Sequence, residues 1–180
     1  MYRLVHSLTP LDRPRLGTHF VALDDTDRRL RFGGALPDDM LLDYVQGIDF
    51  SRDRVFAAFD SAFAVVAVAH LGIREGTAEI GLSVLPAHRR EGLALRLVER
   101  CQRSAIAQGC ESLWVHFLSE NQAMTRLTHK LGMRVTASQG EADARLTLPQ
   151  VSALALGIDL YANQMDAMLG VLRHWTVRAA

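Results

Sequence analysis

The chain has 180 residues, of which 49% are apolar and 22% are charged, and this balance is typical of one folded domain. Its 20 basic and 20 acidic side chains cancel to a formal net charge of zero, which argues against general binding to nucleic acid or to an anionic membrane. No apolar run has transmembrane length, residues 1–6 lack the apolar core of a signal peptide, and Cys101 and Cys110 have no metal-type spacing. We therefore expect a cytoplasmic protein with reduced thiols and no metal.

The first half of the chain predicts a strand, two helices and three strands. Asp24 to Arg31 is polar and charged, so it interrupts the pattern of elements before a turn at Gly33-Gly34. Asp60-Ser61 is the predicted turn of a hairpin between two apolar runs. The predicted elements are strand Tyr2–Leu8, helix Pro10–Ala22, helix Pro37–Gln46, strands Arg54–Phe59 and Ser61–Leu71, and strand Thr77–Val84.

A short basic loop joins this last strand to a long helix. Val84-Leu85-Pro86 closes the strand, and Arg89-x-x-Gly92-x-Ala94 spans the junction with the helix. At such a junction the first N–H groups of the helix lack intrahelical partners and carry a partial positive charge. A pyrophosphate fits this position, because the small residues allow a close approach to the backbone and Arg89 and Arg90 add charge.

The second half of the chain continues with a helix, a strand, a helix and two strands. Gly109 follows the long helix in the usual position after a C-terminus, and Asn121 can cap the first N–H groups of the next helix. Because strands and helices do not alternate strictly, we expect one sheet that is antiparallel in places. The predicted elements are helix Leu93–Gln108, strand Ser112–Phe117, the helical segment that follows Asn121, and strands Met133–Val135 and Ala144–Leu148.

Two segments resemble motifs of the GNAT N-acetyltransferase superfamily. Arg89-x-x-Gly92-x-Ala94 is similar to its acyl-CoA-binding motif, Arg/Gln-x-x-Gly-x-Gly/Ala, which follows a strand ending in a Val-x-Pro-like turn. Asn121-x-x-Met124-x-x-Leu127-Thr128-x-Lys130-x-Gly132-Met133 is similar to its Asn-x-x-Ala/Met-x-x-Leu-Tyr-x-Lys-x-Gly-Phe segment. The order of elements also matches. The resemblance implies an α+β fold with a central mixed, mostly antiparallel sheet flanked by helices.

The resemblance also implies a reaction. A GNAT enzyme would use acetyl-CoA as cosubstrate and move its acetyl group to an amine in a ternary complex, with no metal, nucleic acid or membrane partner. The acceptor amine is a protein lysine, a protein N-terminus or a small molecule, and the sequence does not choose among them. Thr128 stands where the superfamily often has tyrosine. This departure keeps a second hypothesis open, a non-catalytic acyl-CoA-binding sensor.

By the same resemblance, the cosubstrate would lie along the end of one strand and over the loop that follows it. Its pantetheine arm would pair with the strand around Leu82 to Val84, and the Val84 N–H would bind the thioester carbonyl as oxyanion donor. The residues predicted to contact the cosubstrate are Leu82, Ser83, Val84, Arg89, Arg90, Glu91, Gly92, Leu93, Ala94, Asn121, Met124 and Thr128.

Acetyl transfer also needs a base for the amine and a proton for the leaving thiolate. Glu79 is the candidate base, because it is an acid in an otherwise apolar strand and is expected to be partly buried; the alternative is a solvated or arginine-paired carboxylate. A threonine hydroxyl at Thr128 is a poor proton donor. The thiolate then takes its proton from the amine or water, or from His116, whose alternative role is structural.

The segment from Arg31 to Asp53 resembles bacterial protein-lysine-acetyltransferase-type GNAT proteins, in which it forms two helices and a loop that roof the acceptor site. Several acidic residues in and around it either attract a cationic acceptor or are solvated helix caps. These residues are Asp38, Asp39, Asp43, Asp49 and Asp53.

The sequence predicts a GNAT domain over residues 1–150 and a helical extension over residues 151–180. Apolar residues of Leu154 to Trp175 fall on one helical face, among them Leu156, Leu160 and Met168. This helix either caps the core of its own monomer or forms a homodimer contact.

Overall fold

In the computed structural model, residues 4–150, 156–166 and 168 are described. Seven strands, five helices and two one-turn 3-10 helices, Pro10–Asp12 and Pro86–His88, occupy residues 5–147. Residues 156–166 form one further helix, α6. The other elements are β1 Val5–Ser7, α1 Arg13–Val21, α2 Asp25–Phe32, α3 Asp38–Gly47, β2 Arg54–Phe59, β3 Val65–Arg74, β4 Thr77–Val84, α4 Leu93–Ala107, β5 Ser112–Leu118, α5 Gln122–Lys130, β6 Arg134–Ser138 and β7 Glu141–Thr147.

The strands form one sheet in the order β1-β2-β3-β4-β5-β7-β6. Every neighbouring pair is antiparallel except β4 and β5, which are parallel. The predicted mixed, mostly antiparallel sheet is confirmed. β4 pairs with β5 only over Thr77–Glu79, opposite Ser112–Trp114. Beyond Glu79 the two strands diverge, and a gap opens in the middle of the sheet.

Each face of the sheet is covered by a separate set of helices. Ala78 and Ile80 of β4 are buried in a core cluster with Leu93 and Leu97 of α4. The opposite face carries α1 and α3, which bury Phe20 and neighbouring apolar residues against β2 and β3. Because side chains alternate along a strand, Glu79, Gly81 and Ser83 face the side of α1, α2 and α3.

The structure corrects two expectations in the first half of the chain. Residues 24–31, expected to interrupt the elements, instead form the N-cap and most of helix α2. Its N-cap Asp24 accepts a hydrogen bond from Asp27 N, Gly33 ends it with φ of 79°, and no residue of the helix is fully buried. The hairpin between β2 and β3 is confirmed, but β3 begins only at Val65, because Asp60 Oδ1 accepts from backbone N–H groups within a longer turn.

α6 contacts the sheet and α4 through polar side chains. Arg100 of α4 donates to Asp159 and Asn163, and Asp166 accepts from the backbone N–H of Ser7 at 2.8 Å. The predicted helical face beyond Met168, including Trp175, lies outside the described residues. No helix in the described part of the chain is long and apolar enough to cross a membrane.

Candidate active site

A cavity of about 610 Å³ opens on the α1–α3 side of the sheet, where β4 and β5 diverge. Its walls come from α2, α3, β3, β4 and β5, from the first residue of β7 and from the loop before β2. The first five elements contribute the side chains of Arg31, Tyr44, His70, Glu79 and His116, and the lining also includes Asp53, Arg74 and Glu141. The topology therefore brings together the two candidate catalytic side chains with others that the sequence analysis did not assign.

Glu79 lies at the boundary between this cavity and a smaller one of about 220 Å³. Its side chain is exposed, so the expected partial burial is wrong. Among the described residues no cation forms an ion pair with Glu79, and its carboxylate is open to a molecule in the cavity.

His116 lies across the gap from β4. Trp114 is the register partner of Glu79, so His116, two residues further along β5, is level with Gly81. Its Nδ1 lies 2.9 Å from Asp143 Oδ1. The hydrogen bond to Asp143 raises the pKa of the half-exposed imidazole, despite some opposing desolvation. The structure therefore favours a protonated His116 at the rim of the cavity.

Two hydrogen bonds fix the direction of the β4 backbone. Leu85 N donates to Val66 O at 2.9 Å on the β3 side, and Glu111 N donates to Gly76 O at 2.8 Å on the β5 side. Because backbone groups alternate along a strand, the even-numbered residues of β4 direct their N–H and C=O groups toward β5.

The gap is consequently lined by backbone groups of Leu82 and Val84, with which no strand of the described residues pairs on this side. The Val84 carbonyl accepts a hydrogen bond from Arg89 Nε at 3.2 Å. Ser83 has the opposite orientation, and its Oγ lies 2.8 Å from His19 Nε2 in the core. The Ser83 hydroxyl therefore does not face the gap, and its predicted contact with the cosubstrate stays a prediction.

The loop after β4 ends in an exposed helix N-terminus. Gly92 is the N-cap of α4 with φ of 75°, and its carbonyl accepts from Arg96 N at 3.2 Å. The N–H groups of the first turn, which begins with Leu93 and Ala94, precede this first intrahelical bond and point out of the helix. Arg89 pairs with Asp27 of α2.

The remaining loop residues differ in exposure. Arg90 is exposed and adopts φ of 66°. Glu91 contacts His88 at 3.4 Å, and Leu93 is buried in the core, so only its backbone faces the junction.

Comparison with known proteins identifies the family of this chain. The model of the acetyltransferase (GNAT) family matches residues 16–133. The chain belongs to the GNAT family. It is therefore an acyl-CoA-dependent acetyltransferase. A search of curated proteins finds no match.

Solved structures agree on the fold. The GNAT domain of S. lividans PAT has 20% identity and a TM-score of 0.70, over 81% of this chain and 90% of that one. The yncA protein of Salmonella typhimurium, solved with its cofactor acetyl-CoA, has 19% identity and a TM-score of 0.63, over 85% and 98%. A phosphinothricin acetyltransferase from Sinorhizobium meliloti, in complex with AcCoA, has 13% identity and a TM-score of 0.68, over 85% and 92%.

The second GNAT motif forms α5. Asn121 is its N-cap, and Asn121 Oδ1 accepts from Met124 N at 3.1 Å, so the expected cap is confirmed. Met124 packs against the main core cluster. Thr128 is fully buried, and its hydroxyl donates to Thr125 O at 3.0 Å. A contact between Thr128 and the cosubstrate would require its side chain to give up this bond and its burial.

A network of hydrogen bonds that the sequence analysis did not predict lies along the wall of the cavity. Arg31 Nη2 donates to Tyr44 Oη at 3.1 Å, Tyr44 Oη lies 2.5 Å from His70 Nδ1, and His70 Nε2 lies 3.1 Å from Asp53 Oδ2. Arg74 donates to the other Asp53 oxygen at 2.7 Å. The available signal was His70, a histidine that interrupts an otherwise apolar strand.

The pKa shifts determine which atom donates in each hydrogen bond of this network. Burial raises the pKa of Tyr44 and lowers that of His70, so the phenol keeps its proton and the imidazole is neutral. Burial acts to raise the pKa of Asp53, but hydrogen bonds from Arg74 and His70 outweigh it and lower that pKa. His70 Nε2–H therefore donates to Asp53, and His70 Nδ1 accepts from the Tyr44 hydroxyl.

Proposed function

We propose that this GNAT enzyme moves the acetyl group of acetyl-CoA to an amine by direct attack in a ternary complex. The observation that carries the proposal is the position of β4 between two sites. One side chain of β4, Glu79, faces the cavity, while the backbone of Leu82 and Val84 faces the gap. A strand with both features can hold an acceptor amine and a thioester against each other.

The residues around the gap fit acetyl-CoA. The backbone groups of Leu82 and the N–H of Val84, which no described strand pairs with on this side, suit a pantetheine arm that pairs like a strand. The N-terminal turn of α4, with Gly92 as its N-cap, suits a pyrophosphate, and Arg89 and Arg90 add positive charge. When bound, acetyl-CoA supplies an activated acetyl thioester.

Three groups of the chain then serve the reaction. The amine nitrogen bonds to the acetyl carbon as the carbon–sulfur bond breaks, and Glu79 accepts the proton that the amine loses. The Val84 N–H stabilises the negative charge that develops on the carbonyl oxygen. His116, whose pKa is raised by the hydrogen bond to Asp143, supplies a proton to the leaving thiolate. We place the enzyme in the cytoplasm, where the free thiols of Cys101 and Cys110 stay reduced.

The test is thiol release from acetyl-CoA with a panel of amines and peptides, followed by mass spectrometry of the products. We expect Glu79→Gln to keep acetyl-CoA affinity within a few-fold and to lower kcat by roughly 10²–10³. Raising the pH should partly restore kcat, because more of the amine then arrives neutral. Glu99→Gln, an exposed glutamate on α4, is the control and should match the wild type.

Two results would contradict the proposal. Near-normal turnover of Glu79→Gln at neutral pH would remove Glu79 from the mechanism. Tight acetyl-CoA binding with no thiol release for any amine would favour an acyl-CoA sensor over a catalyst.

A further inference from the structure

Arg31 differs from the other basic side chains that line the cavity. Arg74 and His70 pair with Asp53 at 2.7 and 3.1 Å, and His116 pairs with Asp143. Among the described residues no carboxylate pairs with Arg31. Its one hydrogen bond goes to the neutral Tyr44 hydroxyl, and its Nε is buried without a hydrogen-bond partner in this part of the chain.

The Arg31 guanidinium is nevertheless held in place. It stacks over the rings of Phe32 and Tyr44, with Cζ at 4.7 and 5.9 Å from the two centroids. It also lies directly against β4 at Gly81, where an added Cβ would be only 1.9 Å from Nη2. Glycine at this position leaves the space that the guanidinium occupies. A charge that is fixed and partly removed from water, without a counterion, is stabilised when an anion binds to it.

Arg31 and Glu79 offer opposite charges on one surface. Gly81 and Glu79 are two residues apart on the same face of β4, so the guanidinium lies about 7 Å along the strand from the Glu79 backbone. The opposite face of β4 packs against α4, whose N-terminus is the proposed phosphate site. Arg31 is thus separated by the sheet from the helix that would hold the phosphates.

We propose that the acceptor is a small amine that carries a carboxylate close to its amino group, as a free amino acid does. Arg31 binds the carboxylate, and the amino group lies at Glu79. The inference rests on the proposed acetyl transfer. A cavity of about 610 Å³ has the size of a small-molecule site. Tyr44 is a positioning residue, because its hydroxyl holds Nη2 and is itself held by His70.

The experiment compares each amino acid with two analogues that lack the negative charge, its carboxamide and its decarboxylated amine. L-Leucine, L-leucinamide and isopentylamine form one such set. We expect the wild type to prefer the acids by about 100-fold in kcat/KM, the scale for a charged partner left unpaired in a site. Arg31→Gln should remove this preference mainly by raising KM for the acids, with the amides changed by less than a few-fold. Arg31→Lys keeps the positive charge but not the planar, bidentate donor geometry of the guanidinium, so it should retain part of the preference for acids.

Arg29→Gln is the matched control, because Arg29 is on the same helix but is exposed and pairs with Glu120. It should leave all ratios unchanged. Melting temperatures report whether each variant is folded. If Arg31→Gln does not fold, Tyr44→Phe, which removes the hydrogen-bond acceptor of Arg31, should raise KM for the acids alone.

The outcomes separate the two proposals. Amides or lysine peptides acetylated as well as the acids, or an Arg31→Gln defect equal for all amines, would overturn the inference and leave acetyl transfer standing. If no amine releases thiol, the proposed function fails, and calorimetry in the presence of CoA decides the inference alone. Saturable amino-acid binding that Arg31→Gln abolishes would support it, and the absence of binding for every amino acid would overturn it.

Discussion

At the scale of single residues, His19 shows how burial sets the state of a side chain. It is 2% exposed, its Nδ1 lies 3.1 Å from Val65 O, and its Nε2 lies 2.8 Å from Ser83 Oγ. A carbonyl only accepts, so Nδ1 carries the proton and Nε2 accepts from the Ser83 hydroxyl. Only the bond from Ser83 requires an unprotonated Nε2, whereas the bond to Val65 O is compatible with either form of the ring and opposes part of the shift. Burial lowers the pKa of His19 from 6.5 to about 4.

This shift predicts acid lability. The unfolded chain binds a proton at His19 as the pH falls through 6.5, whereas the folded chain does so only near 4. The stabilisation is therefore complete above pH 6.5 and is lost as the pH falls toward 4, by on the order of 3 kcal/mol. We expect His19→Gln to be less stable than the wild type at pH 7.5 but to lose less stability between pH 7 and 4.5, as measured by urea unfolding.

His129→Gln is the control for this measurement, because His129 is exposed on α5. The free energy of unfolding of this variant should depend on pH as that of the wild type does. If His19→Gln and the wild type lose equal free energy of unfolding over that range, His19 is not the group responsible.

At the scale of elements, prediction succeeded where a helix or strand buries an apolar face. β4 has the predicted bounds Thr77–Val84, and α4 starts at the predicted Leu93, because both bury apolar side chains at regular spacing. α2 buries no residue fully and contains only two apolar residues, Leu30 and Phe32, so the cap at Asp24 and the glycine at its end were its clearest sequence signals. A charged helix of this kind is defined by its ends more than by its pattern.

The residues of the candidate site also differ in whether the sequence could predict them. The loop and the Glu79 strand lie on one continuous segment, and their motifs were readable. The hydrogen-bond network, in contrast, joins side chains from three separate elements. Tyr44 is on α3, His70 is on β3, and Asp53 is in the loop before β2. No local spacing connects these residues, because only the packing of α3 on the sheet brings them together.

The α4 N-terminus supplies a prediction for one element. Gly92→Glu should place a carboxylate where the pyrophosphate is proposed to bind, so acetyl-CoA affinity should fall by about 100-fold or more through like-charge repulsion. Glutamate at φ of 75° also costs about 1–2 kcal/mol of stability. Calorimetry with acetyl-CoA is the measurement.

Gly109→Glu is the control that separates the backbone strain of glutamate at positive φ from a direct effect on acetyl-CoA binding. Gly109 follows the other end of α4, also has φ of 75°, and has open space around its Cβ position. This control carries the same strain and the same charge and should bind acetyl-CoA normally. Equal affinity losses in the two variants, or none in folded Gly92→Glu, would show that the phosphate-loop assignment is wrong.

At the scale of the whole molecule, α6 supplies partners for a buried charge in the GNAT domain. The Arg100 side chain is 5% exposed and stacks over Phe56 at 4.6 Å. Its guanidinium donates to Asp159 and Asn163, and Asp166 lies 3.8 Å away. Residues 156–166 lie beyond the span that the family model matches, yet they provide the counterions of a core arginine. We therefore expect residues 156–166 to fold as part of the same domain.

Asp159→Asn tests this dependence. Removing one partner of a buried ion pair leaves an uncompensated charge, so the free energy of unfolding should fall by on the order of 3 kcal/mol. Truncation after Pro149 removes all three partners and should cost at least as much. Combining Asp159→Asn with Arg100→Met should recover stability, because an apolar side chain needs no counterion. Gln164→Ala, at an exposed position of the same helix, is the control for urea unfolding. A truncated chain with the wild-type melting temperature and the wild-type oligomeric state by light scattering would show that the extension is dispensable and that water compensates Arg100.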